Sequence, residues 1–264
     1  MRTVFAVARK ELSISFTTPV AYVTLMVLAF FTALFFNGSL DAYRFLTLRA
    51  VQLQNPQFMS QMNLTDMVVA RLFGTVGILL VIISPPLTMR LFAEEKRSRT
   101  FELLLTAPLR PFEIVLGKYL ASLVVVLVSI GVVALFPAVL SLLGRGSGGD
   151  SAVEWQTVAT GLLGLFLLGA MSMAIGMFVS TLTDSVIVAA LASFIVLFGL
   201  WVATIFAVGN EGPAKEITSA LSASEHLSSF LQGRIELKDV AYYLSFVALG
   251  LYLTDRAVEG HRWV

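Results

Sequence analysis

The chain has 264 residues, 57% of them hydrophobic and 13% charged, with a net charge of +1 and no cysteine. Soluble domains carry roughly 25% charged residues, so one globule of this size cannot hide the apolar excess. The near-neutral balance excludes a nucleic-acid partner bound across the whole surface, and the missing thiols exclude disulfides, thiolate metal sites and cysteine nucleophiles.

In chain order, residues 1–19 set apolar Val4, Phe5, Val7, Ala8, Leu12 and Phe16 beside Arg9, Lys10 and Glu11, and Pro19 closes the segment. This pattern predicts a short amphipathic helix lying in the membrane interface. Apolar blocks follow at 20–36, 72–89, 119–143, 155–182, 185–208 and 240–254. Lipid-spanning helices need about 20 such residues, so the expectation is an all-α polytopic membrane protein with six transmembrane helices in a single domain, 1–264. The first block is too long for a signal-peptide apolar region, and Phe35-Phe36-Asn37-Gly38 is no cleavage site; it reads as an uncleaved span. The sixth has only 15 residues and is expected to extend through Leu237, with Lys238 and Asp239 snorkelling, or to thin the bilayer.

No block contains Asp, Glu, Lys, Arg or His, and Asp184 sits in the tight turn between the fourth and fifth. Eleven of the 18 Lys and Arg fall on the side that holds both termini, six of them between Arg90 and Lys118. Both termini are therefore expected in the cytoplasm. On the other side, Ile217, Ala220, Leu221, Ser224, Leu227 and Leu231 recur at helical spacing. They predict an external helix between spans five and six, packed on the bilayer or on a partner. The run Gly144–Asp150 reads as a flexible external turn, because it lacks the Lys-Ser/Thr of a phosphate loop.

Ionisable residues inside a bilayer mark coupled carriers, and enzymes need a nucleophile with a base or a set of metal ligands. The spans offer neither, and the two histidines, His226 and His261, fall on opposite sides of the membrane. His226 reads as a polar residue of the external helix and His261 as a tail residue. The fourth span is rich in small residues: Gly161, Gly164, Gly169, Ala170, Ala174 and Gly176. These suit plain close packing, and equally a helix that slides or dimerises. What remains is a scaffold, a passive channel or the membrane half of a transporter powered by another polypeptide.

The long loop between spans two and three, 89–121, mixes charge with apolar residues. Glu94 to Arg99 alternate acid and base, and Phe101, Leu104 and Leu105 follow at helical spacing. Pro108 breaks the pattern, and Pro111 can start a second helix with Glu113 near its positive end. Two short amphipathic helices joined by a Pro-bounded turn are expected.

The order E-E-K-x-S-x-T-x-E-L-L-L-T-x-P followed by E-I-V-L-G-K-Y resembles the signature of type-2 ABC (ABC-2) exporter permeases, gliding-motility GldF-like branch. Similar matches run along the chain: Ala8–Val23, Pro86-Leu87-Thr88-Met89-Arg90, 175–183, and Glu225–Leu253 with Phe230, Gly233 and Tyr242-Tyr243. Arg99 replaces the family's glycine, and Asp184-Ser185 replaces a typical Glu-Asn; the first of these departures is expected to alter a helix start and the docking contact.

The resemblance implies a permease subunit with no catalytic site and no cofactor of its own. ATP and Mg would be bound by cytoplasmic ABC ATPase subunits beneath a homodimer or heterodimer of permeases in a bacterial inner membrane, with an external-domain accessory protein as a further partner. Residues 1–19 would be the elbow helix, with Arg9, Lys10 and Glu11. The loop around Glu94–Pro108 would form the coupling and gate helices, with Glu94, Glu95, Arg97, Thr100, Phe101, Glu102 and Pro108 as coupling residues. The Thr183-Asp184 turn would be a second ATPase contact. The alternative is a non-transporting anchor or scaffold that passes ATPase-driven force to an external or membrane partner.

Overall fold

The computed structural model describes residues 2–52, 63–101, 110–143, 153–207 and 213–260, and among these every regular element is helical. Helix α1 (Arg2–Thr17) ends before Pro19, whose fixed φ begins α2 (Pro19–Gln52). A π-helical turn, Thr65–Ala70, runs into α3 (Arg71–Thr88), and a five-residue helix α4 (Ala93–Arg97) follows. Next come α5 (Pro111–Leu143), α6 (Trp155–Thr181) and α7 (Val186–Val202), the last continued by a 3₁₀ turn. Two short helices, α8 (Pro213–Leu221) and α9 (Ala223–Leu231), precede α10 (Leu237–Gly260).

Five helical stretches among the described residues are long and apolar enough to cross a membrane: α2, the stretch Thr65–Arg97 from the π-turn through α3 into α4, α5, α6 and α7 with its continuation. The sixth expected span falls on α10, which is not among the five. Helix α10 nevertheless packs along α6, with Tyr243, Gly250, Thr254 and Val258 buried.

Helix α6 is the axis of the bundle. Its glycines explain why. A Cβ at Gly161 would stand 2.5 Å from Phe73 of α3, one at Gly164 2.7 Å from Phe230 of α9, and one at Gly169 2.6 Å from Val126 of α5. At Gly176 it would stand 2.2 Å from Thr88 Oγ1 of α3. Each glycine thus admits a neighbour that a methyl group would exclude, and dispersion at such contacts replaces the hydrophobic drive that lipid lacks. The small residues of this span serve packing within the chain.

Three expectations are corrected. The helix expected to begin at Pro111 as a separate short element is continuous with the third span. No breaker follows Pro111 until Pro137, and Glu113 Oε1 accepts a hydrogen bond from Thr3 Oγ1 at 2.8 Å, which fixes the helix's first turn to α1. The external helix is two helices, parted where Ser222 caps α9 by accepting from Glu225 N. Nor does α9 offer its apolar face to lipid or a partner: Ala223, Leu227 and Phe230 are buried against α3, α6 and α7 of the same chain. Finally, His226 has a specific role. Its Nδ1 lies 2.6 Å from Asp239 Oδ1 and its Nε2 3.2 Å from Ala220 O, and its ring stacks on Tyr242. It ties α8, α9 and α10 together. His261 lies outside the described residues.

Candidate functional site

The expected coupling residues converge where α1, α3, α4, α5 and α6 meet. Helix α3 reaches this junction through Pro85 and Pro86, which remove two backbone donors. Ser84 Oγ covers the carbonyl of Val81 that Pro85 leaves open, at 3.3 Å, and Thr88 Oγ1 donates to Ser84 O at 3.0 Å. The chain then turns over Met89–Phe92 into α4.

A side chain from α6 starts α4. Ser180 Oγ accepts from Phe92 N at 3.2 Å and Ala93 N at 3.0 Å, and donates to Met89 O at 3.0 Å. It does from a distance what an N-cap residue does locally, satisfying donors that a helix start leaves open. The far end of α4 closes in a Schellman motif, with Thr100 N bonded to Glu95 O and Arg99 N to Lys96 O. Its left-handed position is Arg99, at φ 56°. The departure from the family's glycine therefore falls at a helix stop, not at a helix start.

Two lysines bolt the junction. Lys118 of α5 is only 1% exposed, and its Nζ donates to Glu11 Oε1 of α1 at 3.0 Å and to Glu95 Oε1 of α4 at 2.8 Å. The Phe92 ring lies 5.1 Å from the same ammonium, within cation–π range. Desolvating an ammonium is costly unless it is paired and hydrogen-bonded, and here two carboxylates from different helices supply the pairing. The second, Lys96, donates to Thr181 O at 2.7 Å and lies 3.9 Å from Asp184. Gly117 completes the fit: a Cβ there would stand 2.7 Å from Val7, so only glycine lets α1 approach α5 this closely.

The expected residues divide by direction. Glu11, Glu95 and Phe101 face inward. Phe101 is buried, edge-on to Phe92 at 6.1 Å between ring centroids. Glu94, Arg97, Thr100, Arg9 and Lys10 are exposed, as is Asp184. Glu94 keeps a loose pair with Arg90 at 3.7 Å, and Thr183 Oγ1 accepts from Ser185 N at 3.2 Å, shaping the turn. Glu102 and Pro108 lie outside the described residues. The structure thus brings the loop and the 183–184 turn together, and joins both to α1. Lys118, Lys96 and Ser180 were not picked out from sequence. Lys118 nonetheless carried a signal, as the one cation in the apolar run from Ile114 to Val128.

A cluster of this kind can transmit force, since Lys118 cannot shift without disturbing three helices. A search of curated proteins gives no match to the chain. A family model described as ABC-2 family transporter protein matches residues 45–253, which takes in α3 through α9, the whole of the α4 junction except α1, and most of α10. The chain is a multi-pass membrane protein that belongs to the ABC-2 transporter family.

Proposed function

We propose that the chain is the permease subunit of an ABC-type exporter, driven by separate cytoplasmic ATPase subunits that press on α4 and on the 183–184 turn. The observation that carries this reading is the double anchorage of α4: Ser180 and Lys96 fix it to the end of α6, and Glu95 fixes it through Lys118 to α5 and α1. A push on its exposed Glu94 and Arg97 reaches three further helices at once. In this reading α1 is the elbow helix, α10 is the sixth crossing, both termini are cytoplasmic, and the bacterial inner membrane holds two permease copies of the GldF-like branch. ATP and Mg stay with the partner.

The test is co-expression with an ABC ATPase subunit. Co-purification, with an ATPase rate that changes when the permease is present, supports the reading. Persistent failure to associate defeats it. In the assembled complex, Glu94→Arg with Arg97→Glu is expected to lower coupled ATPase activity at least tenfold while leaving the permease's Tm within about 2 °C, because both side chains are solvent-exposed.

One observation favours the scaffold alternative. Helix α2 continues 16 residues past the expected span, to Gln52, and exposes Phe45, Leu48 and Val51, an apolar strip suited to an external partner. ATP-dependent movement of solute or lipid in reconstituted vesicles would favour transport over this reading.

A further inference from the structure

A cavity of about 320 Å³ opens between α1, the start of α2, the end of α3 and α4. It has three kinds of wall. Ile14, Val20, Ala21, Leu87 and Leu91 make an apolar side. Ser15, Thr18, Ser98 and Thr100 supply hydroxyls. The charged groups balance: Lys10, Arg90 and Lys118 against Glu11, Glu94 and Glu95. Of these, Glu11, Glu95 and Lys118 are turned inward on one another. The groups turned toward a ligand are Lys10, whose side chain is 57% exposed and holds Glu11 only at 3.9 Å, Arg90 at 39% and Glu94 at 56%.

We infer that this cavity binds the headgroup of a zwitterionic phospholipid with a primary ammonium, of the phosphatidylethanolamine type. Charge decides against an anionic headgroup, which would bring one more negative group to a site whose cations already face three carboxylates. A phosphodiester joined to an ammonium fits instead. The phosphate takes Arg90, Lys10 and the Ser15 hydroxyl, where guanidinium and ammonium donors bind oxyanions best, while Thr18, Ser98 and Thr100 spend their hydroxyl hydrogens on backbone carbonyls. The ammonium takes Glu94, which Arg90 then releases from their 3.7 Å pair. The volume equals that of about ten waters, enough for a phosphoethanolamine group. The tails have a path. Ile14, Tyr22, Val23 and Met26 lie exposed on α1 and on the first turns of α2, continuous with the cavity's apolar side and on a helix apolar enough to cross a membrane. The site requires only that this end of the bundle meet a membrane surface, and stands whichever partner drives the chain.

The full chain in detergent is heated with dihexanoyl-phosphatidylethanolamine, with the phosphatidylcholine and phosphatidylglycerol of the same tails, and with free O-phosphoethanolamine. The ethanolamine lipid at ~100-fold excess over Kd is expected to raise Tm by about 5 °C. The choline lipid, which has no N–H to offer Glu94, should have little effect, and free phosphoethanolamine a smaller one. Arg90→Gln and the cavity-filling Ser15→Trp should abolish the shift. Because Ser15→Trp can also disturb folding, a photocrosslinking residue at exposed Ile14 gives a second measurement. In vesicles of phosphatidylethanolamine and phosphatidylglycerol it should label the first lipid preferentially. Equal shifts from all three lipids, equal shifts from the free headgroup, or a shift that survives both substitutions overturn the inference. So does a Ser15→Trp chain that keeps the lipid response and loses only ATPase association, which would reassign the cavity to a partner's side chain.

Discussion

Arg99 and Gly233 occupy the same position in two copies of one motif. Each follows a helix end, each has positive φ, 56° and 75°, and each is flanked by the paired Schellman hydrogen bonds. Only glycine adopts this backbone without a steric penalty, which for other residues is roughly 1–2 kcal/mol; glycine's greater freedom when unfolded returns part of that. Arg99→Gly is therefore expected to raise stability by about 0.5–1 kcal/mol, and Arg99→Val to lower it by more than 1 kcal/mol, both read as Tm in detergent. Lys118 is the opposite case, a residue whose surroundings are built for it. Lys118→Met leaves Glu95 without its cation and Glu11 with only the exposed Lys10 at 3.9 Å, and should cost about 3–5 kcal/mol. The triple variant that adds Glu11→Gln and Glu95→Gln should recover most of this, and a triple variant as unstable as the single one would contradict the pairing argument. The lysine was legible in the sequence as a cation within an apolar run, but its partners were not. Glu11 and Glu95 lie 107 and 23 residues away, and no periodicity links positions on three separate helices.

At the scale of elements, what the sequence disclosed best was apolar length. The five longest apolar blocks each fall on a helix, because lipid forces the backbone to satisfy its hydrogen bonds within the segment. The ends of those helices were less legible. Helix α2 runs past Asn37 and Gly38, beyond the end of the apolar block at Phe36. Asn37 donates to Ala33 O, and among the described residues nothing lies within 4 Å of where a Cβ on Gly38 would stand. Helix α5 begins eight residues before the apolar block does, since Pro111 and Glu113 favour a helix start wherever the membrane begins. Two stretches that carried the family resemblance touch in the folded chain: Thr88 meets Gly176, and Met89 bonds Ser180. The helix crossing they form can be tested. Gly176→Ala drives a methyl group into Thr88 and should cost about 1–3 kcal/mol. Gly131→Ala, on α5 with open space around it, should gain up to about 1 kcal/mol from helix propensity. Equal effects at the two positions would show that the crossing is loose.

For the whole molecule the number of crossings turns on α10. Helix α6 holds α3, α5, α9 and α10 around itself, and Gly250 lies so close to α6 that a Cβ there would stand 3.0 Å from the Ala174 backbone. His226 and Asp239 pin one end of α10 to α9, and Val258 is buried near the other. A helix held in this way alongside a spanning helix should span as well. The absence of cysteine from the sequence makes the test direct. Single cysteines at exposed Arg97, Ile217 and Arg256 are labelled with a membrane-impermeant maleimide in intact cells and after lysis. The six-crossing arrangement predicts that Ile217→Cys reacts in intact cells, while Arg97→Cys and Arg256→Cys react only after lysis. Labelling of Arg256→Cys with Ile217→Cys would leave five crossings and put the C-terminus outside.

Helix α2 has one more implication. At 1.5 Å per residue its 34 residues measure about 50 Å, against a hydrocarbon layer of about 30 Å. Set upright from Pro19, the rod clears the lipid by some 20 Å before any tilt is subtracted, and it is braced there by the buried contact of Ala50. In that upright setting α2 would stand as a mast at the end away from α4, and a partner could reach it without approaching the bilayer at all.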